Sequence, residues 1–169
     1  MVNAQFLKQF GLLEDLDDSE LAKIAEIGKE HSLRKGEAIF AEGTKATHIH
    51  LLMRGKVEFA MWVRDPWNKN VTVHKAHAGE AYGWSALVPP YEHTGSTTCV
   101  EDGEEIRIKG SELLELFDQN PHMGFVVMRN LTGDMRAWLM QTRKSLSIEW
   151  LAGSSSPGDS SAWGEAGRR

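Results

Sequence analysis

The sequence predicts a mainly β domain with flanking helices: a double-stranded β-helix, or jelly roll, followed by a long C-terminal helix. Three observations predict it. Between Ser32 and Ile108 short apolar segments are punctuated by glycine-centred turns, a spacing that suits a small roll rather than a parallel sheet. On either side, before Glu30 and after Ser111, apolar residues return at helical intervals. A length of 169 residues suits one domain with a sizeable core and a short appendage.

The elements follow in order, as helices over 1–30, a roll over 31–110, C-terminal helices over 111–150 and a disordered tail over 151–169. Phe6, Phe10, Leu13, Leu16, Leu21, Ile24 and Ile27 mark the N-terminal helices, with a break at Gly11. Asp17-Asp18-Ser19-Glu20 supplies capping residues for a second helix that stops near Gly28. Within the roll, Leu33, Ala38–Phe40, Ile49–Met53, Val57–Val63, Val71–Val73 and Ile106–Ile108 read as strands. Turns are expected at 34–36, 42–44, 54–56, 65–68 and 101–103. Ser111–Phe117 reads as a short helix, and Asn120 caps a long one that opens on Pro121 and runs to about Leu146. Met128, Leu131, Met135, Trp138 and Thr142 form its apolar stripe, widened by Val127, Leu139 and Leu146. A helix this long exceeds what a small roll can cover, so the stripe predicts a homodimer through the 121–146 helix. The stretch from Gly153 is rich in Gly and Ser, which predicts the disordered tail.

Composition excludes several classes. A net charge of −5 and a pI near 5.8 argue against a nucleic-acid or anionic-membrane partner. No apolar run approaches the roughly 18 residues of a membrane span, and no signal pattern opens the chain. One cysteine, Cys99, forbids an internal disulfide and suits a cytoplasmic protein. Cys99 reads as a buried strand residue, since nothing basic nearby in sequence lowers its pKa.

Chemistry concentrates in Gly79-Glu80-Ala81-Tyr82-Gly83-Trp84-Ser85-Ala86-Leu87 and in Gly95-Ser96-Thr97-Thr98. Glycines 79 and 83 permit close backbone approach. A short helix starting near Glu80 would aim N–H groups at an anion, and Glu80 would accept from a sugar hydroxyl. No Arg or Lys lies between Lys75 and Arg107 to neutralise a phosphate.

The element order, with Gly36–Thr44, Leu52-Met53-Arg54-Gly55-Lys56-Val57 and Gly79–Leu87 in sequence, resembles the cyclic-nucleotide-binding domain of the Crp/Fnr regulators. The resemblance extends through most of residues 6–146. It implies a regulatory ligand-sensing module, a cyclic nucleotide (cyclic AMP or cyclic GMP) as ligand and no metal. Glu80 would then take the ribose 2′-hydroxyl. The 83–85 amides (Gly83, Trp84, Ser85) would hold the phosphate, and Ser96, Thr97, Thr98 and Thr132 would lie near the base. At the family's phosphate arginine this chain has Gly95, so the phosphate site is expected to be degenerate, with a protonated His93 as a partial substitute. Trp84, Pro89, Pro90 and Tyr91 carry the alternative, a filled pocket on a ligand-free protein-interaction scaffold. Where DNA-binding members carry a winged helix-turn-helix after the long helix, this sequence reads as a tail, so a sensory module alone is expected, with a protein effector and no direct DNA binding. His48 and His50 face one side of a strand, but the glutamate spacing of a cupin metal site is wrong. No nucleophile and base stand at recognisable spacing, so an enzyme is not expected.

Overall fold

The computed structural model describes residues 2–65 and 68–153. Helix α1 (Ala4–Leu7) starts where the Asn3 side chain accepts from the Gln5 N–H at 2.9 Å. Helix α2 (Asp18–Ile27) is closed by a reciprocal capping box. In it Asp17 accepts from Glu20 N–H at 2.8 Å and Glu20 from Asp17 N–H at 3.0 Å.

Six strands follow: β1 (Gly28–Leu33), β2 (Ala38–Phe40), β3 (His48–Val63), β4 (Lys69–His77), β5 (Ala81–Tyr82) and β6 (Ser96–Lys109). All pairings are antiparallel. Strand β6 pairs with β1, β2 and β3, and β3 also pairs with β4 and β5. Alternation along the strands divides the core in two. Ile49, Leu51, Ile106 and Ile108 pack on the helices, beside Leu7, Phe10, Leu21 and Ile24. Leu33, Leu52, Val57, Ala76, Tyr82 and Cys99 fill the inside of the roll. Cys99 is fully buried, and burial pushes its thiol up.

The expected hairpins at 54–56 and 101–103 do not form. Each sits inside one continuous strand, where β3 and β6 run past each other with register shifts between Leu52 and Val57. Gly55, at φ +94°, faces Gly103 across this crossing, and a Cβ at Gly103 would stand 2.0 Å from the Arg54 carbonyl oxygen. These glycines therefore permit a close strand crossing rather than a reversal of the chain. Helix α2 stops where expected: Gly28 caps its C-terminus, its N–H donating to Ile24 O, and at once opens β1 opposite Ile108.

Helix α3 (Gly110–Gln119) leads into α4 (Pro121–Gly153), whose 33 residues span about 50 Å. Helix α4 extends past the expected end at Leu146, and most of the expected tail lies outside the described residues. The expected stripe splits. Met123, Val126, Val127 and Leu131 are buried in the helix-side core, while Trp138 and Thr142 face the roll. Phe125, Met135 and Leu139 stay exposed, at 66%, 39% and 64%.

Candidate functional site

The segment after β4 is zipped onto β3, which decides where its side chains go. Gly79 N–H donates to Leu52 O at 2.8 Å, Leu52 N–H to Glu80 O at 3.0 Å, and Ala81 and Tyr82 pair with Leu51 and His50. The helix expected from Glu80 is therefore replaced by β5. Only after Gly83, in the left-handed region at φ +77°, does one 3₁₀ turn form over Trp84–Leu87. A Cβ at Gly83 would stand 2.8 Å from His50 Cδ2, so this turn needs glycine on both steric and conformational grounds.

Behind the turn lies a pocket walled by Phe40, Phe59, Tyr82, Trp84, His93 and Trp138, with Gly83, Ser85, Thr94 and Thr97 supplying backbone and hydroxyl groups. Trp138 comes from α4 and packs edge-on against Phe59 at 4.9 Å and against Trp84 at 5.3 Å. His93 stacks on Phe40 at 3.7 Å. The remaining cavity is about 20 Å³, room for roughly one water. No Lys, Arg, Asp or Glu lines it. Burial, with a smaller contribution from His50, pushes His93 down to about 4, so it is neutral at pH 7 and cannot replace a phosphate cation. The place where the resemblance expects an arginine is crowded. A Cβ at Gly95 would lie 2.5 Å from the Phe59 ring and 2.8 Å from Ala60 O, so a side chain at position 95 would have to displace both. Thr97, 1% exposed, has no hydrogen-bond partner for Oγ1 among the described residues.

A buried polar cluster supports the pocket floor. Glu105, fully buried, accepts at Oε2 from the Tyr82 hydroxyl, and at 3.1 Å from His50 Nδ1. Arg107 Nε reaches Oε1 at 2.5 Å. Burial pushes the Tyr82 phenol up, and this network fixes Tyr82 and His50 face to face, with ring centroids 4.7 Å apart.

The structure brings together Gly83, Trp84, Ser85 and Thr97 of the expected site. It leaves Glu80 and Gly79 out. Glu80 lines a separate cleft with Asp134 and Gln141, sharing only the walls His74, Trp84 and Trp138 with the pocket. Its carboxylate accepts from His77 N–H at 3.1 Å and stands 3.5 Å from His74 Nε2. The His74 hydrogen bond leads in holding that carboxyl below its usual range, against an opposing effect of burial. Ser96 Oγ accepts from Glu42 N–H at 3.0 Å, and Thr98 is exposed. Thr132 is exposed on α4, where its hydroxyl donates to Arg129 O at 2.6 Å. It borders a groove formed with Trp84, Ser85 and Pro89. Phe59 and Glu105 went unread in the sequence, and Trp138 was read only as part of an apolar stripe. Phe59 lies two residues after Val57 on one face of β3, the one local signal that it points into the roll. Among the described residues no group of three or more His, Cys, Asp or Glu is placed to hold a metal ion.

Comparison with known proteins agrees with this fold. The family model for the cyclic nucleotide-binding domain matches residues 30–120. A protein from Geobacter metallireducens GS-15, described as a cyclic nucleotide-binding protein, is 30% identical, with 82% of this chain and 99% of that one covered and a TM-score of 0.73. A cyclic nucleotide-binding domain from Methylobacillus flagellatus KT shares the fold at 15% identity, covering 86% and 81%, with a TM-score of 0.73. The regulatory domain of Toxoplasma gondii PKA, crystallised with cAMP, does so at 19% identity, covering 79% of this chain and 48% of that one, with a TM-score of 0.66. The fold is also that of Thermus thermophilus catabolite activator protein, at 22% identity and a TM-score of 0.65, which places the Crp/Fnr resemblance at the level of architecture. With the family model matching more than half of the sequence, the chain belongs to the cyclic nucleotide-binding domain family.

Proposed function

We propose that this chain is a non-catalytic, cytoplasmic regulatory module in which pocket occupancy is read out by α4, and that its phosphate site is degenerate. One observation carries the reading: Trp138, on the output helix, sits inside the pocket between Phe59 and Trp84. A ligand that enters must move Trp138, and moving Trp138 moves the half of α4 beyond Leu131, where packing against the helix-side core ends. Cyclic AMP and cyclic GMP are the ligands to test first, because the family and the cAMP-bound relative point to them. Without a cation their phosphate loses a charge-assisted contact of about 1.5–3 kcal/mol, a loss of roughly ten- to a hundredfold in affinity. Calorimetric titration at low salt, run beside a cAMP-binding relative, should therefore show binding at least about tenfold weaker here. Equal affinity would overturn the degenerate site. The small cavity favours a second reading, a ligand-free scaffold for a protein partner, which flat isotherms with every small molecule would support.

The exposed face of α4 supports a homodimer. Exposed Phe125, Thr132, Met135 and Leu139, with Met128 half-buried against the helix-side core between them, recur at alternating three- and four-residue steps, the spacing of a two-helix seam. Leu139→Asp should shift the chain to monomer in sedimentation equilibrium while leaving the roll folded. A wild-type chain that sediments as a monomer at high concentration would refute the seam.

A further inference from the structure

The pocket carries information about the chemical class of its ligand. Resting on the reading of this pocket as the ligand site, we propose that it takes an uncharged, planar aromatic molecule of about indole size, with one hydrogen-bonding group for Thr97 Oγ1. Four observations converge on that class. The walls are Phe40, Phe59, Tyr82 and Trp84, which offer aromatic faces and edges for a flat ring. Among the described residues no Lys, Arg, Asp or Glu lines the pocket, and its one ion-paired wall residue, His74, already faces Glu80 at 3.5 Å, so an ionised ligand would be desolvated with little compensation. Position 95, the one place from which the family resemblance brings a cation, is a glycine crowded by the Phe59 ring. Thr97 holds a buried hydroxyl with no partner among the described residues, a group that gains most from a ligand N–H or C=O.

Size follows from Trp138. Its indole already fills the space between Phe59 and Trp84 and leaves a cavity of about 20 Å³. Trp138 is thus an internal stand-in for the ligand, and a ring of similar size enters by displacing it. Apolar cavities vacated by a side chain bind aromatic molecules without any ion pair.

The test is calorimetric titration of the full chain with indole, beside the anion indole-3-acetate, the cation tryptamine and cyclic AMP. Indole should bind the wild-type chain, and the charged probes should bind at least about tenfold more weakly. Trp138→Ala should tighten indole binding by about tenfold or more, because the internal competitor is gone. Thr97→Val should weaken it about 2- to 13-fold, the range for one net hydrogen bond, while raising the melting temperature of the ligand-free protein by removing an unsatisfied hydroxyl. Charged probes binding as tightly as indole would overturn the proposal, as would no indole binding to either the wild type or Trp138→Ala. If Trp138→Ala does not fold, the wild-type and Thr97→Val titrations decide alone. Failure with indole leaves the coupling of Trp138 to α4 intact, since that coupling is read by exchange of α4 amides; binding of indole without any α4 response would sink the regulatory reading and spare the ligand class.

Discussion

Glu105→Ala is expected to destabilise the protein by about 3–5 kcal/mol, the range for breaking a buried charged cluster by deleting one partner. Glu105 is the hub of that cluster. Its two oxygens take hydrogen bonds from His50, Tyr82 and Arg107, and all three donors lose their acceptor at once. Glu105→Gln keeps the shape and should cost about 1–3 kcal/mol, the penalty for poorly satisfied buried donors. Urea unfolding of both variants checks the order. Equal stability of wild type and Glu105→Ala would mean that the cluster does not hold the pocket floor.

The same cluster sets the response to acid. Burial alone would raise the Glu105 carboxyl, but hydrogen bonds led by His50 hold it below the ordinary carboxylate range. Its contribution is therefore present above the ordinary carboxylate pKa and lost as pH falls through the lower, folded value. His93 acts at higher pH. Its folded value of about 4, against 6.5 for a free histidine, means that the unfolded chain takes up the proton first. Stability linked to His93 is complete above about pH 6.5 and drains away between there and pH 4. The urea midpoint should fall steadily from pH 7 to pH 4. His93→Phe should flatten the upper part of that decline, and an unchanged profile in that variant would show that His93 is not held neutral.

Trp138→Ala has the second largest expected effect, about 2–3 kcal/mol. That is less than the 3–5 kcal/mol for deleting a fully buried aromatic, because Trp138 is only half-buried. The loss should be local. Met123, Val126, Val127 and Leu131 continue to anchor the first half of α4 in the helix-side core. Beyond Leu131, the residues facing the roll are chiefly Trp138, Gln141, whose amide oxygen lies 2.8 Å from His74 Nδ1, and Thr142. Denaturation followed by Trp fluorescence should show the site's environment lost early in the variant. A single unfolding transition at the wild-type midpoint would contradict the role given to Trp138.

Much of the fold was legible because its signals are local. The Asp17–Glu20 box, Pro121 and the glycine-punctuated strands each act through their own few residues. The two crossing glycines misled for a physical reason. Gly55 and Gly103 look like turn residues one at a time, and only their apposition across two long strands shows a close crossing. Glu80 misled similarly. Glycine-flanked and acidic, it suits a ribose, but pairing of residues 81–82 with β3 leaves its side chain in a different cleft. The pocket's contents were the least legible part. Phe59, Thr97 and Trp138 come from β3, β6 and α4, and no spacing along the chain relates them.

The most direct measurement is hydrogen–deuterium exchange of the 134–148 amides in the wild type and in Trp138→Ala. If Trp138 couples the pocket to α4, protection over 134–148 falls by about tenfold or more in the variant, while β3 and β6 exchange as before. Identical protection in the two proteins would contradict the coupling, and with it the reading of this chain as a module that reports on its pocket.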